Sequence, residues 1–438
     1  MAVSNPVGTY DLLPQQARVW ERVKQLAFST FGLYGYEPIE TPLFEHTDLF
    51  VRGIGESTDV VSKEIFHVIS SYNYRTLQEG GQVRSKDRFA LRPEGTASVV
   101  RSVIQNDLVP QGAAPVKLMY AGPMYRAERP QQDRYREFRQ IGVEFLGAAA
   151  PTADAELIIM LMRFYQAIGL PMGSVRVLIN SLGDDRCRPA YRETVRAYIH
   201  EHSSEMCEDC NARADLNPLR AFDCKEEGCR KVMAQAPLIT DALCDECKEH
   251  FAQVKALLDA AGVPYVEDPH LVRGLDYYTR TVFEVQVTDG MGAQNAIGGG
   301  GRYDKLVEQV GGRPTPGLGF ALGFERMMHA LEIGGAQVAG DAPAVCYVAC
   351  ADASVAAQAF DVMQALRDAG IACDGDHQGR SLKSQLKVAG RMEAPVCVVV
   401  GPDELAAGRV SVRDMRARTQ ETVALEHVAE AVSALLER

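Results

Sequence analysis

The chain has 438 residues, 46% of them hydrophobic and 24% charged, which excludes a disordered polypeptide and at this length points to about three compact units. Its 46 basic against 58 acidic residues leave a net charge of −12, so a generally basic nucleic-acid binder is excluded, although a local basic face is not. No stretch approaches the roughly 18 consecutive apolar residues that span a bilayer, and Met1 to Asp11 lack the basic start and apolar core of a secretory signal. Eleven cysteines without such a signal imply reduced thiols in a cytoplasm, with no membrane partner.

Residues Gln16 to Phe31 read as an amphipathic helix with Val19, Val23, Leu26 and Ala27 on one face, closed by Gly32 and Gly35. Tyr36 to Pro42 reads as extended, and Phe89 to Arg92 and Lys117 to Tyr120 as short strands. Leu157 to Ile168 is apolar almost all round, the pattern of a buried helix. Between Gly183 and Gly262 charge density rises and six cysteines arrive in pairs, which predicts an inserted, mostly helical unit at residues 184–262. Strand-like sequence resumes at Val282 to Thr288, and the run Gly298 to Gly301 follows. No Gly-Lys-Ser/Thr follows that run, so it is not a phosphate-binding P-loop. Its glycines fit either a flexible loop or backbone that must approach a ligand closely. A Gly- and Ala-rich linker is expected at 334–343. Beyond it, Val345 to Ala349, Ala356 to Ala369, Leu382 to Ala389 and Val396 to Val400 alternate strand and helix, the mark of a small α/β domain over 344–438.

The densest chemistry lies at Gly122-Pro123-Met124-Tyr125-Arg126-Ala127-Glu128-Arg129 and continues through Arg134 and Arg136 to Arg139. Five arginines thus fall within 14 residues of an acidic chain. Such a run can be a solvated loop. Here it lies between strand-like Leu118 to Tyr120 and Ile141 to Phe145, and a guanidinium hairpin set on a sheet suits polyphosphate, which it can pair bidentately.

The segment resembles motif 2 of the class II aminoacyl-tRNA synthetases, a strand–loop–strand with the pattern Phe/Tyr-Arg-x-Glu. Gly35-Tyr36 through Pro42 is similar to motif 1, the family's dimer-forming helix–strand, and Gly317 to Arg326 to motif 3. Leu271-Val272-Arg273-Gly274-Leu275-Asp276-Tyr277-Tyr278, Gly299-Gly300-Gly301-Arg302-Tyr303-Asp304 and Leu91 to Thr96 resemble signatures of the histidyl-specific branch. The resemblance covers nearly the whole chain. It implies an α+β catalytic core, an antiparallel sheet flanked by helices, over residues 1–333, interrupted by the helical insertion and followed by an α/β anticodon-binding domain. It further implies a homodimer that joins L-histidine to tRNA(His), using ATP with Mg2+.

By the same resemblance Arg126 contacts the α-phosphate and the histidine carboxylate, and Arg134 and Arg326 hold the β- and γ-phosphates. Phe138 stacks on adenine, and Glu128 helps to fix that base. Arg273 lies across the α-phosphate, where other class II enzymes use an extra metal ion. Glu94, Thr96 and Gln140 match the ammonium-binding positions, and Glu144 and Tyr278 the imidazole-facing ones, with Tyr277 and Tyr303 in the same signatures. Arg129 and Gln131 are expected near the acceptor end of tRNA. Taken alone, Glu144 reads as a salt-bridged strand residue in preference to a ligand contact. A non-catalytic paralogue serving as a regulatory subunit in histidine biosynthesis is the rival, set aside because Arg126, Arg273, Arg326 and the terminal domain are all present.

Cys207-x2-Cys210, Cys224-x4-Cys229 and Cys244-x2-Cys247 occur within 41 residues. Cys207, Cys210, Cys244 and Cys247 are the best-spaced quartet for a structural zinc, with another choice of four, or free thiols in a helical bundle, as alternatives. Cys187, Cys346, Cys350, Cys373 and Cys397 show no ligand spacing and read as core or free thiols. The terminal domain, Asp341 to Arg438, has 10 basic and 14 acidic residues, so bulk charge gives no sign of RNA binding. Arg380, Lys383, Lys387 and Arg391, spaced 3, 4 and 4, predict one basic helical face that could follow a phosphate backbone.

Overall fold

The computed structural model describes residues 3–56, 58–292, 295–340 and 344–437, and the chain separates into two units, Met1–Gly340 and Asp341–Arg438. The expected linker at 334–343 straddles this division, and its last three residues lie outside the described ones. In chain order the strands of the first unit, among the described residues, are β1 (Glu37–Pro38), β2 (Phe44–His46), β3 (His67–Val68), β4 (Phe89–Leu91), β5 (Val116–Tyr125), β6 (Glu137–Leu146), β7 (Val175–Ser181), β8 (Tyr265–Glu267), β9 (Thr279–Val287), β10 (Ala296–Arg302) and β11 (Gly317–Gly323). Eight of them form one sheet in the order β1-β5-β6-β11-β10-β9-β7-β8. It is antiparallel throughout its centre and parallel only at its two ends, β1 with β5 and β7 with β8. A second, three-stranded sheet runs β2-β4-β3.

The strand expected over Tyr36 to Pro42 shrinks to the two residues of β1. Pro38 and Pro42 have no N–H to continue a ladder, so pairing stops after Met119. The helix before it runs Pro14–Gly32, with proline in its first turn, and buries Trp20, Val23, Ala27 and Phe31. Its apolar stripe is therefore centred one position away from the expected Val19 and Leu26, which pack only partly. Phe31 meets Phe164 and Phe320 edge-on or tilted at 5.5 and 5.6 Å between ring centroids. Phe164 belongs to the helix Pro151–Ala167, buried on nearly every side as its composition predicts.

The segment between β7 and β8 is helical: Arg188–Glu201, Glu208–Arg213, Glu227–Met233, Ile239–Ala242 and Asp245–Ala260. The first four share a small core of their own with Cys210, Cys229 and Cys247 inside it. The last sends Phe251, Val254 and Leu258 into the main core, so it packs on the sheet and roots the insertion there.

The second unit has β12 (Cys346–Cys350), β13 (Cys373–Gly375), β14 (Val396–Val400), β15 (Arg409–Asp414) and β16 (Thr419–Ala424), in the order β13-β12-β14-β15-β16. β12 is parallel to β13 and β14, as the strand–helix alternation implies. The antiparallel hairpin β15–β16 and the closing helix Val428–Leu436 are additional to the sequence reading. β16 is largely exposed, and its polar run Thr-Gln-Glu-Thr has no apolar alternation to reveal it.

Candidate active site

β5 and β6 pair along their whole length, Val116 with Leu146 through Tyr125 with Glu137, and carry residues 126–136 as an irregular loop off the sheet. The loop enters a cleft lined also by β10, β11 and the start of the helix Phe324–Ile333. Arg126, Arg134 and Arg326, distant in sequence, line it together with Arg273. Arg126 donates through Nε to the Pro93 carbonyl at 3.1 Å, and its guanidinium lies 5.2 Å from the Phe138 ring centroid. Arg134 pairs with Glu128 and lies 3.6 Å from Glu64. Arg326 donates to the carbonyls of Asp133 and Ala296 at 3.2 and 3.3 Å. Burial, and then the charges of Arg134 and Arg126, lower its guanidinium below the usual value. Such mutual repulsion, left standing in the free protein, is relieved by an anion placed among them.

Two more arginines of the run, Arg136 and Arg139, have structural partners. Arg136 donates to the Glu128 carbonyl at 3.2 Å, and Arg139 lies against Glu325 and the Tyr10 hydroxyl. Arg273, from the segment before β9, pairs with Glu284 on that strand. A Cβ on Gly299 would stand 2.9 Å from both terminal nitrogens of Arg273, so only glycine lets the guanidinium lie flat on β10. Gly298 to Gly301 are strand residues rather than a loop: Gly299 turns its missing side chain to Arg273 in the cleft, Gly298 to the buried Tyr165 hydroxyl, and Gly300 and Gly301 abut neighbouring strands.

Deeper in the same sheet lies a buried polar cluster. Glu144 on β6 is buried and accepts hydrogen bonds from the hydroxyls of Tyr303 and Tyr120, the latter at 3.3 Å. Gly319 faces it on β11, where a Cβ would collide with its carboxylate. Burial pushes the Glu144 carboxyl up to about 8; bonds from Tyr303 and Thr96 oppose this, and the nearby Glu94 charge adds to it. Glu94 is itself buried and accepts from the backbone N–H groups of Thr96 and Ala97 at 2.7 and 2.9 Å, closing the start of the helix Thr96–Gln105. Burial raises this carboxyl as well, against those same bonds. Tyr277, Tyr278 and Tyr303 form the wall, with ring centroids 4.7 Å apart for the first pair and 5.5 Å for Tyr277 with Tyr303. Gln140, on β6 between the two compartments, keeps its side-chain carbonyl oxygen buried with no partner among the described residues. A buried acceptor left this way awaits a donor.

The histidyl-tRNA synthetase family profile matches residues 8–327, and that of the anticodon binding domain residues 345–435. The chain is 45% identical over 430 residues to the histidine–tRNA ligase of Desulforamulus reducens, covering 98% of each, and 44% identical over 433 residues to that of Anaeromyxobacter sp. strain K, covering 99% and 100%. The chain belongs to the histidyl-tRNA synthetase family. Apo histidyl-tRNA synthetase of S. aureus superposes with a TM-score of 0.80 at 35% identity, over 98% of this chain and 99% of that one. The fold is thus the class II synthetase fold of that family, with the terminal unit as its anticodon-binding domain.

Within this histidyl-tRNA synthetase fold, Arg129 and Gln131 are exposed at the loop tip, beside Lys63 and Arg134. The terminal basic stripe is shorter than the spacing predicts. Lys383, Lys387 and Arg391 lie exposed on the helix Leu382–Arg391, whereas Arg380 precedes it. Ser381 takes the position before the first helical residue, and the Arg380 backbone N–H is bonded to Asp376 at 2.6 Å.

The expected zinc quartet of Cys207, Cys210, Cys244 and Cys247 is not assembled. The two Cys-x2-Cys pairs fall in separate clusters, Cys207 and Cys210 with Cys224 and Cys229, and Cys244 and Cys247 with Cys187 and Asp184. The cause is topological: the helices 208–213 and 245–260 start at different places on the insertion, and Cys187, which shows no spacing of its own, is brought in by the chain entering it. Sequence reasoning also missed Tyr120, Glu284, Asp133 and Glu325 as lining or positioning residues. For Tyr120 a signal existed, since it alternates with Leu118 and sits opposite Gly142.

Proposed function

We propose that this chain is a histidine–tRNA ligase, which condenses L-histidine with ATP to histidyl-adenylate and then esterifies the 3′ end of tRNA(His). The observation that carries this is the convergence of Arg126, Arg134 and Arg326 in one cleft with the unpartnered Gln140 oxygen, on the same strand β6 that buries Glu144 four residues further on. One half suits a triphosphate, the other a small amino acid with polar groups at both ends.

In the first step a carboxylate oxygen of histidine attacks the α-phosphorus of ATP, a new O–P bond forms, and the bond to pyrophosphate breaks. Both reactants are anions, so the protein's contribution is positioning and charge neutralisation. Arg126 and Arg273 flank the reacting phosphate and carboxylate, Arg134 and Arg326 take the departing β- and γ-phosphates, and Phe138, already beside Arg126, offers a face to adenine with Glu128 at its edge. ATP would enter as its magnesium complex, and Glu284 is a cleft carboxylate whose hard oxygen donors would suit that ion. Gln140, Glu94 and Thr96 receive the α-ammonium, and Glu144 with Tyr278, walled by Tyr277 and Tyr303, the imidazole. In the second step a ribose hydroxyl at the tRNA 3′ end attacks the histidyl carbonyl and AMP leaves; Arg129 and Gln131 lie where that end would approach.

The division into a core over 1–333 with an insertion at 184–262, a linker at 334–343 and an RNA-binding unit at 344–438 belongs to this reading. So does a homodimer through the segment around β1, where Leu33 and Phe44 are 87% and 50% exposed. A cytoplasmic location fits cysteines that form no disulfide and the absence, among the described residues, of any helix able to cross a membrane. The test is ATP–pyrophosphate exchange with each of the twenty amino acids in turn. Exchange with histidine alone is expected; exchange with a different amino acid, or with none, overturns the proposal.

A further inference from the structure

The two cysteine clusters of the insertion have the dimensions of metal centres. Around a tetrahedral zinc with Zn–S bonds of about 2.3 Å, sulfur atoms stand about 3.8 Å apart along each edge; a disulfide needs about 2.05 Å. Cys207 and Cys224 Sγ are 3.9 Å apart, as are Cys187 and Cys247 Sγ. Within each cluster all four candidate ligand atoms lie within 4.8 Å of one another. In the second cluster Asp184 divides its labour. Oδ1 lies 3.7 and 3.8 Å from the Cys187 and Cys244 sulfurs, while Oδ2 is held by Arg186 and Arg280 at 2.8 and 3.1 Å. A carboxylate with one oxygen fixed by guanidinium and the other turned to three sulfurs is set as a single-oxygen ligand.

We propose that the insertion carries two independent zinc centres, a tetrathiolate of Cys207, Cys210, Cys224 and Cys229 and a mixed centre of Cys187, Cys244, Cys247 and Asp184. Backbone amides already point at the sulfurs, Cys207 N–H to Cys229 at 3.1 Å, Cys210 N–H to Cys207 at 3.4 Å and Asp184 N–H to Cys187 at 3.3 Å. Such donors satisfy the lone pairs that a metal-bound sulfur retains. Zinc uptake releases the thiol protons and leaves each centre formally at −2. Arg213, Arg220 and Lys225 stand beside the first among the carboxylates of Asp59, Asp209, Asp223 and Glu226, and Arg186 and Arg280 stand beside the second with Glu246.

Both centres are tied to the rest of the first unit, the second of them to the wall of the histidine pocket. Arg213, on the helix that starts at Cys207, bridges to Asp59 at 2.8 Å, and Arg188, just past Cys187, donates to the Tyr278 carbonyl at 2.5 Å. The insertion's own core is small and rich in Cys, Ala and Met, so it gains from cross-links of this kind. The zinc therefore positions the insertion against the histidine pocket and touches neither substrate.

Elemental analysis of the full-length protein, purified without chelators or metal-affinity resin, decides the matter without reference to activity. Two equivalents of zinc per chain are expected. Cys224→Ser and Cys244→Ser should each lose one equivalent, and their combination both, with far-UV circular dichroism reporting whether the variants fold. If they do not fold, mercurial titration of the wild-type protein must release zinc in two steps. One equivalent or less in the wild type overturns the proposal. So does loss of both metals from a folded single variant, or a Cys207–Cys224 disulfide in freshly isolated protein.

Discussion

Glu144 and Gln140 sit two turns of the pleat apart on β6 and differ in what they lack. Glu144 is fully engaged by Tyr303, Tyr120 and Thr96 yet carries a carboxyl pushed up to about 8 by burial. Because its folded value lies above the ordinary carboxylate value, the free protein is most stable while this group is protonated in both states. That contribution is lost as pH rises from near 4.5 towards 8, as the unfolded chain ionises and the folded one resists. Glu144→Gln should therefore raise the melting temperature of the ligand-free protein relative to wild type at pH 8–9, with the gap closing towards pH 5, while abolishing histidine-dependent pyrophosphate exchange. Thermal scans across that range check it, and a pH-independent difference would show that Glu144 stays ionised in the empty pocket. Gln140 is legible only as a polar residue in a strand. That its oxygen is orphaned emerges once β5 and β11 close on either side of it.

At the scale of elements, the hairpin β5–β6 and the strand β10 show how one motif divides into chemical and structural parts. Of the five arginines that mark the hairpin in the sequence, Arg126 and Arg134 reach the cleft, Arg129 faces solvent, and Arg136 and Arg139 brace the surrounding chain. Arg302, at the end of the glycine run, is fully buried. It pairs with Asp154 of the core helix and Asp304, and donates to the Ala148 carbonyl at 2.8 Å. His250 completes the group, 3.3 Å from Asp154. Arg302→Ala leaves buried Asp154 without its main cation and should cost about 3–5 kcal/mol in unfolding free energy by denaturant titration. A loss below about 1 kcal/mol would mean that water reaches the site. The sequence places this arginine beside a ligand-facing glycine run; only the packing of β10 on the helix Pro151–Ala167 turns it inward.

For the whole molecule, a net charge of −12 coexists with an arginine cleft in one unit and an exposed Lys383–Lys387–Arg391 stripe in the other. On the proposed function, an acidic remainder would discourage non-specific RNA while local cations hold the intended phosphates. Reversing Lys383 and Lys387 to glutamate should weaken tRNA binding and flatten its salt dependence by about one per lost phosphate contact, leaving histidine-dependent pyrophosphate exchange near wild type. Filter binding across a salt series beside the exchange assay checks this, and a parallel fall in both would refute separate duties for the two units.

Local sequence by itself determined the elements and the kinds of chemistry present: the amphipathic and buried helices, the strands around the arginines, the alternation of the terminal unit, and clustered guanidinium, carboxylate and thiol groups. These follow from periodicity and residue type, which act over a few neighbours. Which groups meet is decided by tertiary structure, because contact between β5, β6, β9, β10 and β11 joins residues up to two hundred positions apart. That closure collects Arg126 with Arg326 and Tyr303 with Glu144. The folding of the insertion, in turn, assigns the cysteines to two clusters rather than to the one quartet their spacing favours. Spacing along a chain fixes the reach of one helix or turn, and burial with strand register fixes the rest.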